Sequence, residues 1–114
     1  MTDVSLFEKI IAREIPADIV YEDDFCIAFH DIAPQAPVHV LLCPKVRLNM
    51  LSEAENGDGK LLAHLLLQAP RIAQSLGYGS AFRLVINNGS DAGQTVFHLH
   101  LHILAGRPFG WPPG

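Results

Sequence analysis

Apolar residues along the chain switch between two spacings, and the switches mark out its elements. Leu6, Phe7, Ile10 and Ile11 share one helical face, and Ser5 stands three residues ahead of Glu8 at capping-box spacing. A short helix is therefore predicted to about Arg13, helped to a stop by Pro16. The pattern then turns strand-like. Ile19 to Tyr21 and Phe25 to Phe29 flank the acidic turn Glu22-Asp23-Asp24 and predict a hairpin. Pro34 and Pro37 punctuate a loop before a third strand, Val38 to Cys43, which Pro44 ends.

After the polar stretch Ser52 to Gly59, helical spacing returns. Leu61, Leu62, Leu65, Leu66, Ala69, Ile72, Ala73 and Leu76 form the face of a long helix running up to Gly77. Pro70 falls inside it, where a missing donor costs about 3 kcal/mol in a regular helix, so a kink is predicted there. Phe82 to Asn87 reads as a strand, Asn88 to Gln94 as a Gly-rich loop, Thr95 to Leu104 as the last strand, and Arg107 to Gly114 as a Pro/Gly tail. Helix, strands, helix, strands predicts an α+β fold with an antiparallel sheet, one short helix and one long.

Composition narrows this without redirecting it. The chain has 114 residues, 49% hydrophobic and 18% charged, enough for one core and no compositional sign of disorder, so residues 1–114 are expected to form a single domain. A formal charge of −4, with Lys and Arg scattered, argues against binding long nucleic acid. Charged residues interrupt the first fifteen positions, unlike a secretory leader, and no span reaches the roughly 18 apolar residues of a membrane helix. An intracellular, cytoplasmic protein is expected. Cys26 and Cys43 lack metal-motif spacing and sit in apolar runs, which predicts buried free thiols.

The chemistry gathers at one place. On a strand, His98, His100 and His102 would project from one side at roughly 6.6 Å intervals, with Phe97, Leu99, Leu101 and Ile103 on the other. Three imidazoles can hold a metal, although alternate strand positions are wide for one ion. They can also supply a neutral nucleophile for phosphorus, flanked by donors. The preceding loop favours the second reading. Asn87, Asn88, Gly89, Ser90, Gly93, Gln94 and Thr95 bring amides, hydroxyls and close backbone approach to the same end, which suits an anion and is not needed by a metal.

The run from His98 to Leu104 alternates histidine with apolar residues in the signature of the histidine triad superfamily. Ala28-Phe29-His30-Asp31-Ile32, Pro37-Val38-His39, Pro44-Lys45, the stretch Asn87 to Gln94 and the terminal Trp111-Pro112-Pro113-Gly114 all resemble its nucleotide-binding branch, and together they cover nearly the whole chain. The resemblance implies that His100 attacks the α-phosphorus of a purine nucleoside phosphoramidate, forming a nucleotidyl-histidine that water releases as the monophosphate. His98 and His102 would contact phosphoryl oxygens and orient the nucleophile, with His39 hydrogen-bonded behind it. Asp31 would accept from the ribose hydroxyls, while Asn87, Gly93, Gln94 and Thr95 would hold the phosphate. Phe7, Ile10, Ile15, Phe29 and Ile32 would wall the base pocket, a part that plain core residues could equally play. No metal or other cofactor is implied.

The resemblance further implies a two-fold homodimer in which residues 105–114, with Trp111, reach the partner's site. A stiff, apolar terminus of this kind suits docking. Departures from the family pattern are Thr95 in place of serine, Pro70 in the long helix, and Arg47 in place of histidine. Two other readings stand beside phosphoramidate cleavage: a dinucleoside polyphosphate hydrolase or nucleotidyl transferase using the same nucleophile, and a non-catalytic nucleotide- or metal-binding interaction protein.

Overall fold

A computed structural model describes residues 4–114. The reading of the first fifteen residues as unlike a secretory leader thus falls partly, at residues 1–3, outside the described chain. Helix α1 spans Leu6–Ile11, and the strands are β1 (Ile19–Glu22), β2 (Cys26–His30), β3 (Val38–Pro44), β4 (Phe82–Val85) and β5 (Leu101–Ala105). Between β3 and β4 lie two single-turn helices and the long helix α2 (Gly59–Ser75). The five strands form one antiparallel sheet in the order β1-β2-β3-β5-β4. The α+β class and the short and long helices are as expected. No helix among the described residues is long and apolar enough to cross a membrane.

Strand alternation divides the core into two layers. Cys26 and Ala28 of β2, Val40 and Leu42 of β3, and Leu101 and Ile103 of β5 pack beneath Leu65, Ala69, Ile72 and Ala73 of α2. From the opposite face Ile27, Phe29, Leu41 and Cys43 meet Phe7 and Ile10 of α1. β3 is central and covered on both sides, which is why its sequence is almost continuously apolar instead of alternating. His39 is the exception within it. It shares the α1 face with Leu41, and Leu41 pairs directly with His102 on β5, so register alone brings the two histidines together. Cys26 and Cys43 are buried free thiols, with burial pushing both up to about 12.

Two expectations need correction. The last strand begins at Leu101, not Thr95, because the backbone before it leaves the ladder; the Leu99 N–H donates to the Leu48 carbonyl at 2.6 Å instead of to a sheet neighbour. His98 and His100 therefore sit on an irregular approach to β5, and Phe97, expected on the side opposite the histidines, is 37% exposed. Likewise β4 stops at Val85, short of Asn87. Helix α2 runs from Gly59 to Ser75 with Pro70 inside it, so its last residue falls two short of Gly77.

Candidate active site

The α1 face of the sheet holds a cavity of about 310 Å³ at the end where β2, β5 and the 95–100 segment converge. Its wall includes Phe7, Ile10, Ile15, Phe29, Ile32 and Leu41; its polar lining is His30, Asp31, Thr95, His100 and His102. All five residues expected to wall a base are thus on it. Phe7 packs edge-on against His100 with centroids 4.8 Å apart, and against Phe29 at 5.5 Å, so α1 forms the roof over the histidines.

Main-chain groups fix the state of each imidazole. A carbonyl oxygen can only accept and a backbone N–H can only donate, so each one decides which ring nitrogen carries the proton. His100 Nδ1 lies 2.7 Å from the His98 carbonyl and must donate to it. Its Nε2 is left as a lone pair on a ring lining the cavity, and no described side chain takes it up. The Gln35 N–H donates to His39 Nδ1 at 3.0 Å, which puts the His39 proton on Nε2. That Nε2 lies 2.9 Å from His102 Nδ1 and donates to it, so the His102 proton sits on Nε2, facing the cavity. The outcome is one ring presenting a lone pair and its neighbour, with centroids 5.0 Å apart, presenting an N–H.

Burial keeps these rings neutral. It pushes His100, His98 and His39 below the usual histidine range, and it pushes His102, further opposed by the nearby His100 and His39, down to about 4. A neutral His100 is what nucleophilic attack requires.

His98 differs from its neighbours. It is fully buried, its Nε2 donates to the Pro44 carbonyl at 2.7 Å, and its Nδ1 lies 2.9 Å from the Ser5 hydroxyl. With both nitrogens engaged it has no group to offer a phosphoryl oxygen, which corrects that part of its expected role; it acts on His100 through its carbonyl. Gln94 is corrected in the same way. Only 2% exposed, its amide spans Gly89 N–H, Asn49 O and Val96 O, so it shapes the loop and is not free to hold an anion. Asn87 and Gly93 are not in the lining of the cavity, and a Cβ added at Gly93 would meet the Asn87 side chain at 3.7 Å. Gly93 has φ +100°, a conformation that disfavours any side chain. Of the four loop residues expected to hold the phosphate, Asn87, Gly93, Gln94 and Thr95, only Thr95 is in this lining, together with His102.

Asp31 reaches the cavity from the end of β2, with Oδ1 accepting from Ala33 N–H at 2.8 Å and Oδ2 lying 3.6 Å from His39 Nε2. His30, Leu6, Pro16, Ala17, Leu41 and Val96 also line the cavity and escaped the sequence reading. Each looks like ordinary core or turn composition along the chain. Trp111 is 85% exposed and Ile32 entirely so.

Two described groups bring possible metal-ligand atoms within 4.8 Å of one another: Asp31-His39-His102 in the site, and Asp23-Cys26-His64 away from it. In each, two of the atoms already sit at hydrogen-bond distance, 2.9 Å for His39 to His102 and 2.7 Å for Asp23 to His64. Ligands around a tetrahedral zinc stand about 3.3 Å or more apart, so these atoms are spaced for a shared proton.

The sequence matches the family model described as HIT domain over residues 12–109. It is 66% identical to an uncharacterized HIT-like protein of Synechocystis sp., across the full length of both chains. It is 48% identical to the adenylylsulfatase HINT1 of Arabidopsis thaliana, over 96% of this chain and 76% of that protein. Among solved structures, a HIT family hydrolase from Legionella pneumophila superposes with a TM-score of 0.93 at 46% identity, covering 96% of this chain and 98% of the other. A second, from Clostridium thermocellum, gives 0.91 at 42% identity, covering 96% of each. The chain is a member of the HIT family, in line with the hydrolases it resembles, and its histidine triad is His98, His100 and His102.

Proposed function

We propose that the protein hydrolyses purine nucleoside phosphoramidates through a nucleotidyl-histidine intermediate on His100. The observation that carries this reading is the unpartnered His100 Nε2 lone pair, on a ring held neutral and lining a cavity whose wall combines apolar side chains with Asp31, Thr95 and His102. A base fits the apolar wall, ribose hydroxyls suit the carboxylate, and phosphoryl oxygens suit the His102 N–H and the Thr95 hydroxyl.

In the first step His100 Nε2 attacks the α-phosphorus, a P–N bond to the ring forms, and the P–N bond to the substrate amine breaks as that nitrogen takes up a proton from solvent in the cavity and departs. In the second, water attacks the same phosphorus, the ring is released, and the nucleoside monophosphate leaves. The His102 N–H stabilises charge on the phosphoryl oxygens in both steps, and it is preorganised for this by the Gln35 and His39 chain behind it.

A homodimer belongs to the same proposal. β4 is an edge strand, and Leu66 and Leu67 of α2 are 51% and 58% exposed, an apolar surface that a second copy would cover. The exposed Trp111 would then be placed to reach the partner's cavity.

One observation favours a second leaving group. The Arabidopsis relative is named for adenylyl sulfate, in which the same attack would expel sulfate. The deciding experiment quenches turnover of adenosine phosphoramidate and seeks an adenylyl group on His100 by mass spectrometry. Turnover of the phosphoramidate, adenylyl sulfate and diadenosine polyphosphate is then compared. An adduct with the amide as fastest substrate supports the proposal, and faster cleavage of either competitor overturns its leaving-group assignment. Absence of any adduct overturns the mechanism.

A further inference from the structure

We propose that Ser5, the residue capping α1, is a positioning residue for His100, acting through the tautomer of His98. The inference rests on His100 being the nucleophile, but its observable is the state of the His98 ring, which can be read without any substrate.

Ser5 makes two hydrogen bonds of opposite sense. Its oxygen accepts from the Glu8 N–H at 2.9 Å, the ordinary capping contact, and Glu8 returns the bond to Ser5 N–H at 2.8 Å. Its hydroxyl proton is then free to donate to His98 Nδ1, 2.9 Å away and 93 residues on in sequence. The Pro44 carbonyl, 2.7 Å from His98 Nε2, requires a proton on that nitrogen, so a neutral His98 must accept at Nδ1. Ser5 supplies what Pro44 leaves unmet.

The buried ring is thereby held at both ends, and the carbonyl of the same residue is the acceptor that orients His100. Tilting His98 moves that carbonyl, and the proton on His100 Nδ1 loses its fixed partner. The cap is itself braced, since Arg47 reaches Glu8 Oε1 at 3.0 Å and the Phe97 carbonyl, next to His98, at 3.0 Å. A residue that in sequence only starts a helix here connects that helix to the nucleophile.

Two substitutions separate capping from positioning. Ser5→Asp keeps a good cap but offers His98 Nδ1 only an acceptor; Ser5→Gly keeps most of the capping free energy and offers nothing. The His98 ring nitrogens are followed by ¹⁵N NMR at neutral pH, alongside kcat, KM and the melting temperature. In the unsubstituted protein His98 is expected as the neutral Nε2–H form. Ser5→Asp is expected to move it to the doubly protonated form or the other tautomer. Both variants are expected to lose about tenfold or more in kcat, with KM changing less than about threefold, as for other residues that orient a reacting group from behind. Ser5→Thr, which retains cap and donor, is expected to restore most of the loss. His98 resonances and kcat in Ser5→Asp and Ser5→Gly equal to those of the unsubstituted protein would overturn the proposal. If the protein cleaves no phosphoramidate, the proposed function fails while the His98 resonances still decide the role of Ser5.

Discussion

Among the described residues, two clusters that join histidine to aspartate differ in their surroundings: Asp31-His39-His102 reaches the active-site cavity, and Asp23-Cys26-His64 lies away from it. Away from the site, Asp23 accepts from Phe25 and Cys26 N–H through one carboxylate oxygen and from Tyr21 and His64 through the other. Those contacts leave no lone pair of the carboxylate open, and they tie the β1–β2 turn to α2. Around the active-site cavity the opposite holds. The supporting nitrogens of His39, His98 and His100 are matched to backbone or side-chain partners, and that matching leaves Nε2 of His100 open on purpose. Polar density therefore does not mark a site. What marks it is a group whose other half is fixed and whose reactive half has no protein partner.

The largest break in this comparison is removal of the open group. His100→Ala is expected to lower turnover of adenosine phosphoramidate by about 10³-fold or more, because a nucleophile acting in a unit is not replaced by its neighbours. Its melting temperature should fall by only a few degrees, since the ring's one hydrogen bond is to the carbonyl of His98, two residues away, and the rest of what is lost is packing against Phe7 and His102. Steady-state rates with a thermal melt on the same sample check both halves.

Asp23→Ala reverses the pattern. Four donors lose their acceptor at once, two of them backbone N–H groups at a turn, so the expected loss is about 2–3 kcal/mol of stability. Turnover per folded molecule should be unchanged. Denaturant unfolding gives the first quantity and the rate at a temperature well below the melt gives the second; a large fall in kcat with unaltered stability would contradict the division of labour.

Tyr21→Phe probes the same tie more gently. It removes a single donor to Asp23, whose hydrogen bond also holds the tyrosine up at about 12, and leaves the ring packed against the α2 layer. A loss of about 1 kcal/mol is expected, with Asp23 retaining three donors.

Much of this arrangement was legible along the chain. Periodicity places α1, α2 and the hairpin, and the alternation of His98 to Leu104 announces the triad. The cap at Ser5 is equally visible, but only as a helix start; that its proton reaches residue 98 depends on how α1 crosses the sheet, which no local spacing encodes. The roles of Gln35 and Pro44 are hidden more deeply, because they act through backbone atoms that every residue type carries. His98 and Gln94 were misread for one reason. A polar side chain in a motif looks available until folding shows its partners, and here burial at 0% and 2% requires that those partners exist.

Acid separates the two clusters by the smallest effect of the series. Burial depresses the triad histidines, so their neutral state persists below the ordinary histidine value of about 6.5. An unshifted histidine nucleophile would lose about tenfold in kcat/KM on going from pH 7 to pH 5.5. A smaller loss is expected here, with the acid limb of the profile displaced below pH 6.5, the rings titrating as a coupled set. The sign for stability follows from the same shifts. Between about 6.5 and the depressed values the unfolded chain binds protons that the folded rings refuse, so stability falls as pH is lowered through that window. Asp23 adds its own contribution lower down. Its hydrogen bonds from Tyr21, Phe25, His64 and Cys26 outweigh the effect of burial and hold it well below the carboxylate range, so the tie it makes is fully present above about pH 4 and lost only beneath. Activity should consequently fade before the hairpin separates from α2. A pH–rate profile run beside a pH series of unfolding curves tests the order, and an acid limb at or above pH 6.5 would mean that the open lone pair of His100 is not protected by its burial.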